Sequence, residues 1–314
     1  MSRAPLRLGT RRSPMAVAQS RTIASAIAAR TGHEVELVGI ESAGDKSRDL
    51  LTQIGGTGVF VSALRTSLLA GDVDIAVHSL KDLPVGPADG ITLAAVPERD
   101  DPRDALVGLN GAKLADLPPG AKIGTGSPRR AAQLLLLRPD VHPVPIRGNA
   151  GTRLAKVESG ELSAVVLAQA GLARIGRLDA VSQLFEPDEM VPAAGQGALA
   201  VECNAGREDL VALLSCIDDA VSRAATTAER SLLAGLEAGC AAPVGAYAAG
   251  TEVLRLSGVV VAADGGMALR GSASGALAQA EAIGRQLAAD LLSRGAGRYM
   301  AVSGGHLSSG DDEK

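Results

Sequence analysis

LGTRRSP, residues 8–14, and IGTGSPRR, residues 123–130, share one local grammar: a strand end, Gly-Thr, then Ser-Pro opening a helix. Serine is a preferred helix N-cap, and proline at the first helical position loses no hydrogen bond there. A second pair rhymes further on. LLAGDVDIAVHS (68–79) and VESGELSAVVLA (157–168) each read as a helix end, Gly-acidic, then a buried strand. The spacing differs, 62 residues from Gly9 to Gly71 against 36 from Gly124 to Gly160, so this is a structural rhyme and not a tandem repeat. Two similar α/β domains facing a shared cleft are expected, with ligand groups at the C-terminal ends of strands.

Outward from these stretches, residues 5–216 alternate between strands and helices. Strands are expected at 6–9, 35–40, 74–79, 91–96, 121–124, 141–146, 163–169 and 198–203. Helices are expected at 14–30 and 60–70, with Phe60, Leu64 and Leu68 on one face of the second. Such alternation predicts mainly parallel sheets. From about 218 the pattern changes. Helices near 221–236 and 276–293 enclose strands at 253–263 and 267–272, a small α+β third domain. The domains are expected at 1–98 with 198–216, at 99–197 and at 217–300. Residues 301–314 are expected to form a disordered tail, and the Gly/Ser-rich stretch 42–58 a mobile loop.

The chain has 314 residues, 46% of them hydrophobic, which supports a sizeable core and excludes wholesale disorder. Its only aromatics are Phe60, Phe185, Tyr247 and Tyr299, so stacking platforms for single-stranded nucleic acid are not expected. A net charge of -4 exerts no global pull on polyanions. The first ten residues hold no long apolar run and no stretch of 18 apolar residues occurs, so neither a signal peptide nor a membrane span is expected. Cys203, Cys216 and Cys240 cannot all pair and form no metal-site spacing, which fits a reduced cytoplasmic compartment.

Six of the 31 basic residues are lysine and the rest arginine. High-GC coding explains such a bias as readily as function does, and position must separate them. Arg11 and Arg12 precede the Ser13 cap, whereas Arg129 and Arg130 fall in the first turn after Ser127. Cations there oppose the helix dipole by roughly 0.3–1 kcal/mol each, and a bound anion reverses the sign. Arg147, Arg153 and Arg174 follow other strand ends, so a cleft built this way has cationic walls suited to a polycarboxylate. In VHSLKDLPV (77–85), Asp82 follows a buried strand. It reads either as an Asp-Leu-Pro turn or as a carboxylate aimed into that cleft to stabilise a cation and move protons. His78 reads as a packed core histidine. Cys203, ending an apolar strand, and Cys216, in an apolar helix, read as buried thiols. Cys240, in a loop after Gly239, reads as accessible.

LRLGTRRSPMAVAQ, VHSLKDLP, IGTGSPRRAAQL, PIRGNAGTRL, LAQAGLARIG, PAAGQGALAVEC and AERSLLAGLEAGCAAPVGA, in this order over residues 6–247, together resemble the porphobilinogen deaminase (hydroxymethylbilane synthase) family. The resemblance implies two periplasmic-binding-protein-like α/β domains around a cleft plus a small α+β third domain. It implies a covalent dipyrromethane cofactor on a thioether to Cys240. Four porphobilinogen molecules would be condensed head to tail with loss of ammonia, and linear hydroxymethylbilane released by water. It casts Asp82 as the catalytic carboxylate. It assigns Arg11, Arg129, Arg130, Arg147, Arg153 and Arg174 to acetate and propionate groups. Lys81, Ser13, Gln19, Ser79, Thr125, Ser127, Gly148 and Gln196 would line the same cleft. A monomer in the cytoplasm, with no nucleic-acid or membrane partner and no metal, is expected. Two departures stand out: Gln53 and Thr57 replace lysines common in the loop QIGGTGVF, and Gly126 replaces a serine in GTGS.

Two rivals come from other classes. A polycarboxylate or oxyanion solute-binding protein shares the two-domain cleft but needs neither Asp82 nor the third-domain cysteine. A hydrolase or acyltransferase using Cys240 needs a base beside the thiol, and no histidine is obvious there.

Overall fold

The computed structural model describes residues 4–40, 56–238 and 242–300, with the side chains of 56–60 left out. Two five-stranded sheets of like topology form two lobes, and a three-stranded sheet with two helices forms a third unit.

In the first lobe the strands are β1 (Leu6–Thr10), β2 (Val35–Gly39), β3 (Ile75–Ser79), β4 (Ile91–Ala95) and β10 (Leu199–Asn204), in the order β2-β1-β3-β10-β4. In the second they are β5 (Asp104–Gly108), β6 (Lys122–Thr125), β7 (His142–Pro145), β8 (Ala164–Ala168) and β9 (Gln183–Phe185), in the order β7-β6-β8-β5-β9. Place by place the orders match: β1 and β6 pair parallel to both neighbours, and β10 and β5 pair antiparallel to both of theirs. Each sheet is therefore mixed, not mainly parallel. In each, the antiparallel strand is the first one laid down after the chain crosses between lobes. A crossing strand arrives from the opposite direction, which alternation along the sequence does not encode.

Helices start where the caps place them. α1 (Pro14–Thr31) follows Ser13, whose hydroxyl accepts from the Ala16 N–H, and stops at Gly32 in the left-handed region. It buries Ile23 and Ile27, one turn apart, with Leu8, Ile75 and Val201. α2 (Gly56–Ala70) packs the fully buried Leu64 and Leu68 against Val73 and Ala76. α3 (Pro128–Leu137) follows Ser127, which accepts from the Arg130 N–H. α4 (Ala150–Glu158) follows Asn149, which accepts from the Thr152 N–H, and α5 is Gln169–Arg174. Leu106, Ile123, Leu134, Val166 and Phe185 form one of the second lobe's cores.

After α6 (Glu208–Leu214), the third unit packs α7 (Ala220–Gly235) and α8 (Ala280–Ser293) on β11 (Val244–Ala249), β12 (Val253–Val261) and β13 (Ala268–Ala276). Leu232, Leu254, Leu256, Leu287 and Leu291 fill that interface. Three strands escape the sequence reading. β5 opens on a charged residue, β9 has three residues, and β11 hides behind the turn-like GCAAPVG. Cys203 is buried as expected, but Cys216 sits in a 3-10 turn, Ser215–Ile217, and is only partly buried. Among the described residues no helix is long and apolar enough to cross a membrane.

The third unit clamps both inter-lobe connectors. The Val96 and Asp219 region is cross-bonded: the Val96 N–H donates to Asp218 and the Asp219 N–H to the Val96 carbonyl. Glu229 on α7, fully buried, accepts from Arg99 Nη1 and Nη2 at 2.6 and 3.1 Å, from the Gly195 N–H at 2.7 Å and from the Ala248 N–H at 2.8 Å. One carboxylate thus holds the outgoing connector, the returning connector and the third sheet.

Candidate active site

Between the lobes lies a cavity of about 860 Å³, within the roughly 300–1,000 Å³ of small-molecule sites. The first lobe contributes Arg11, Ser13 and Gln19 from the start of α1, and Ser79, Lys81 and Asp82 from the end of β3. The second contributes Arg130 from α3, and Gly148 and Arg153 from the turn and helix after β7. These nine of the sequence-derived site residues come together. Local chemistry places them. β3 ends in a 3-10 turn, Leu80–Asp82, with Leu80 fully buried beneath it, so Lys81 and Asp82 stand at the cavity. Gly148 has a φ of 104°, a region that other residues rarely adopt. Its carbonyl accepts from Arg153 Nε at 2.9 Å, which holds that guanidinium at the turn. Gly126 stands beside it. A Cβ there would come 2.9 Å from the Ile146 carbonyl, so glycine spares that backbone contact, while Arg153 Nη2 at 3.7 Å would be in ordinary van der Waals contact.

The charge in the cavity is one-sided. Four cations, Arg11, Lys81, Arg130 and Arg153, line it, and among the described residues Asp82 is the only acid that does. Burial, then the charges of Arg130 and Arg129, hold the Lys81 ammonium down at about 8, with Asp82 and Asp104 opposing. Burial and then Arg130 lower Arg153 as well. Cations held this way gain from a bound carboxylate.

Other predicted residues stand behind the surface. Arg129 is buried and turned away from the cavity, 2.8 Å from Asp104 Oδ2, with Nη1 donating to the Val191 carbonyl at 2.7 Å. Arg130 shares the same fully buried Asp104, Nε to Oδ1 at 2.9 Å. Burial alone would raise the Asp104 carboxyl, but the two guanidiniums outweigh it and hold it far below the ordinary range. Thr125 Oγ1 accepts from the Ser127 N–H, and Arg174 bridges Asp100 to the Gly197 carbonyl. Gln196 is fully buried among Lys81, Arg130 and Asp104. Arg147 is exposed and outside the cavity lining. Cys240, Gln53 and the tail 301–314 lie outside the described residues, as does the side chain of Thr57. Most of the 42–58 stretch does too.

Sequence reading missed Asp104, Arg99 and Glu229. The available signal was that an acid opening the apolar run DALVG must be paired if buried. His78 is buried as expected, yet it also lines the cavity and lies 3.2 Å from Glu202. Burial raises Glu202, but His78 and Arg65 together bring it down to about 2.

Cationic walls, one carboxylate among the described residues and a two-lobed α/β frame fit an enzyme acting on small polycarboxylates. Residues 6–212 match the family model described as porphobilinogen deaminase, dipyromethane cofactor binding domain, and residues 224–293 match the porphobilinogen deaminase C-terminal domain. The chain belongs to the porphobilinogen deaminase family. It is a transferase of the hydroxymethylbilane synthase type with a dipyrromethane cofactor, and the solute-binding alternative is not favoured. It is 60% identical to the porphobilinogen deaminase of Thermobifida fusca (strain YX), over 96% of this chain and 97% of that one. It is 52% identical to porphobilinogen deaminase 1 of Streptomyces coelicolor, over 96% and 98%. It is 50% identical to the Mycobacterium tuberculosis (strain ATCC 25177 / H37Ra) porphobilinogen deaminase, over 94% and 98%. Among solved structures it is similar to a periplasmic substrate-binding protein of an ABC transporter from Coxiella burnetii, at 15% identity and a TM-score of 0.43 over 68% of this chain and 91% of that one. That score adds nothing to what the strand orders show.

Proposed function

We propose that porphobilinogen units are joined in the inter-lobe cavity, with Asp82 handling the protons and Cys240 carrying the dipyrromethane as a thioether. The observation that carries this reading is the charge asymmetry among the described residues: one carboxylate, Asp82, against four cations. The donor set fits the cofactor, because each pyrrole brings an acetate and a propionate and the wall offers guanidiniums and an ammonium to receive them. When bound, the dipyrromethane supplies the pyrrole end to which the first substrate is joined.

Arg11, Arg130, Arg153 and Lys81 would grip carboxylates and orient the rings. Ser13 from the first lobe and Asn149 from the second place two helix starts at the same cavity, which favours anions further. Gln19 Nε2 donates to Ser79 Oγ at 2.7 Å, fixing the polar floor next to Asp82. Asp82 would protonate the leaving amine, face the positive charge that develops on the substrate methylene, and take up the pyrrole proton after coupling. A carboxylate fixed where charge develops needs no reorganisation at the moment of reaction. Arg147, exposed beside Gly148, would meet incoming porphobilinogen. Thr125, Ser127, Arg129 and Arg174 would support the wall from behind. Domain bounds of 1–98 with 198–216, 99–197 and 217–300 belong to the same proposal, supported by the three separate sheets. A cytoplasmic monomer without nucleic-acid or membrane partner completes the proposal, in keeping with the net charge of -4 and the two free thiols Cys203 and Cys216.

Intact-mass and peptide-mapping spectra should show a two-pyrrole adduct on the GLEAGCAAPVG segment, with Cys203 and Cys216 unmodified. Asp82→Asn should keep that adduct while turnover falls roughly 10²–10³-fold. An adduct on another cysteine, or near-normal turnover of Asp82→Asn, would overturn the assignments.

A further inference from the structure

Gln196 is fully buried and uses every hydrogen-bonding group it has. Its Oε1 accepts from Lys81 Nζ at 3.3 Å and from Arg130 Nη2 at 3.2 Å. Its Nε2 donates to the Pro102 carbonyl at 2.7 Å and to Asp104 Oδ1 at 2.9 Å. Its main-chain carbonyl accepts from Arg99 Nε at 2.7 Å, and its N–H donates to the Ala193 carbonyl. Lys81 belongs to the first lobe, Arg130 and Asp104 to the second, and Pro102 and Arg99 to the connector between them. We infer that Gln196 is a positioning residue for the reaction, carrying Lys81 and Arg130 on one amide oxygen and so setting the distance between the two lobes' cations at the inner end of the cavity.

The amide orientation has no alternative. A flipped amide would aim its NH2 at two cationic donors and its oxygen at a carbonyl and a carboxylate. Neutrality is also required. A carboxylate at this point would cancel one of the four cations and sit against Asp104, whereas an amide joins two like charges without removing either. The backbone is built for the crossing. Gly195 and Gly197 flank Gln196 with φ of 73° and 88°. A Cβ on Gly195 would come 3.3 Å from the main-chain nitrogen of Lys81, and one on Gly197 would come 2.4 Å from the Asp100 carbonyl. The Gly-Gln-Gly turn therefore rests directly on the segment bearing Lys81 and on the opposite connector.

This inference rests on the cavity being the reaction site. Its test reads the bridge itself, so the two can fail separately. The groups facing Lys81 are Asp82 on its own turn, Arg129 and Arg130 from α3, and Asp104 from β5. The amide oxygen stabilises the charged ammonium. Gln196→Met, apolar and of similar length, should lower the pH midpoint at which Lys81 of the holoenzyme reacts with acetic anhydride, read by peptide mass spectrometry. Gln196→Glu, nearly isosteric, should raise that midpoint by about 1 unit. At neutral pH kcat/KM should fall roughly tenfold in Gln196→Met, as expected when two charged donors lose a shared acceptor. Gln133 is the control. It is equally buried, and both ends of its amide bond the Val191 backbone, away from the cavity. Gln133→Met should lose stability and keep the Lys81 midpoint. Opposite shifts in the two Gln196 variants support the bridge whatever turnover does. An unchanged midpoint in both, or the same shift in Gln133→Met, overturns it.

Discussion

The helix start at Ser13 and the helix start at Ser127 are the same device put to different uses. Both are serine-capped, both have proline at the first helical position, and both follow, through Gly-Thr, a strand that pairs parallel to both of its neighbours. At the first, Arg11 and Ser13 line the cavity. At the second, Arg129 and Arg130 turn onto Asp104, and only Arg130 also reaches the cavity wall. In the second lobe a later helix start, capped by Asn149, takes the cavity-facing place. The difference lies in what answers the arginines. The first strand after crossing into the second lobe opens on a buried acid, and two guanidiniums are drawn to it. In the first lobe the equivalent strand, β10, carries Glu202, which is answered instead by Arg65 and His78.

The largest effect should come from breaking the second arrangement at its centre. Asp104→Asn keeps the shape but leaves two buried guanidiniums without a counter-charge, which costs about 3–5 kcal/mol. Denaturant unfolding should show it directly. The pH dependence should change with it. Asp104's carboxyl is depressed in the folded state, so its contribution is fully present above the unfolded value of about 4 and is lost as pH falls toward the folded one. The parent protein should therefore weaken below pH about 4 more steeply than Asp104→Asn does. Equal acid slopes would remove Asp104 from the account.

Next in size is the contrast between Arg129→Leu and Arg11→Leu. Arg129→Leu removes one of Asp104's partners and a donor to the Val191 carbonyl, so it should lower stability by a few kcal/mol, about 2–4, and weaken cofactor loading through the distorted wall. Arg11→Leu should act mainly on binding, raising KM roughly tenfold or more through the loss of one charge-assisted contact. If the two variants showed the same split between stability and KM, the two helix starts would be equivalent after all.

The smallest effect belongs to Arg30, near the far end of α1. It is exposed and donates to the Cys216 carbonyl at 2.7 Å. Arg30→Leu should cost about 1 kcal/mol or less and leave kcat and KM as they were. A large kinetic change there would mean that the cationic cavity is not what separates the arginines.

Much of this molecule was legible in one dimension. The caps Ser13 and Ser127, the Gly-Thr turns and the apolar runs announce local structure, because capping and periodicity depend on neighbours within a few residues. The segments around Asp82, Arg153 and Cys240 announce the family, because their order and composition are specific. Three strands stayed hidden because a charged opening, a length of three residues and a proline-led entry contradict local strand signals. What the sequence by itself determined was the inventory: a second-lobe helix bearing two arginines, a carboxylate after a buried strand, and more cations than the acids nearby. Only the tertiary structure decided which of those cations face the cavity. Arg129 is settled by Asp104, 25 residues earlier and on a strand that crosses from the other lobe. Lys81 and Arg130 are joined through Gln196, which lies more than 60 residues beyond either. Electrostatic partners are chosen by distance in space and by the cost of leaving a buried charge unanswered, and neither quantity exists until the chain has folded.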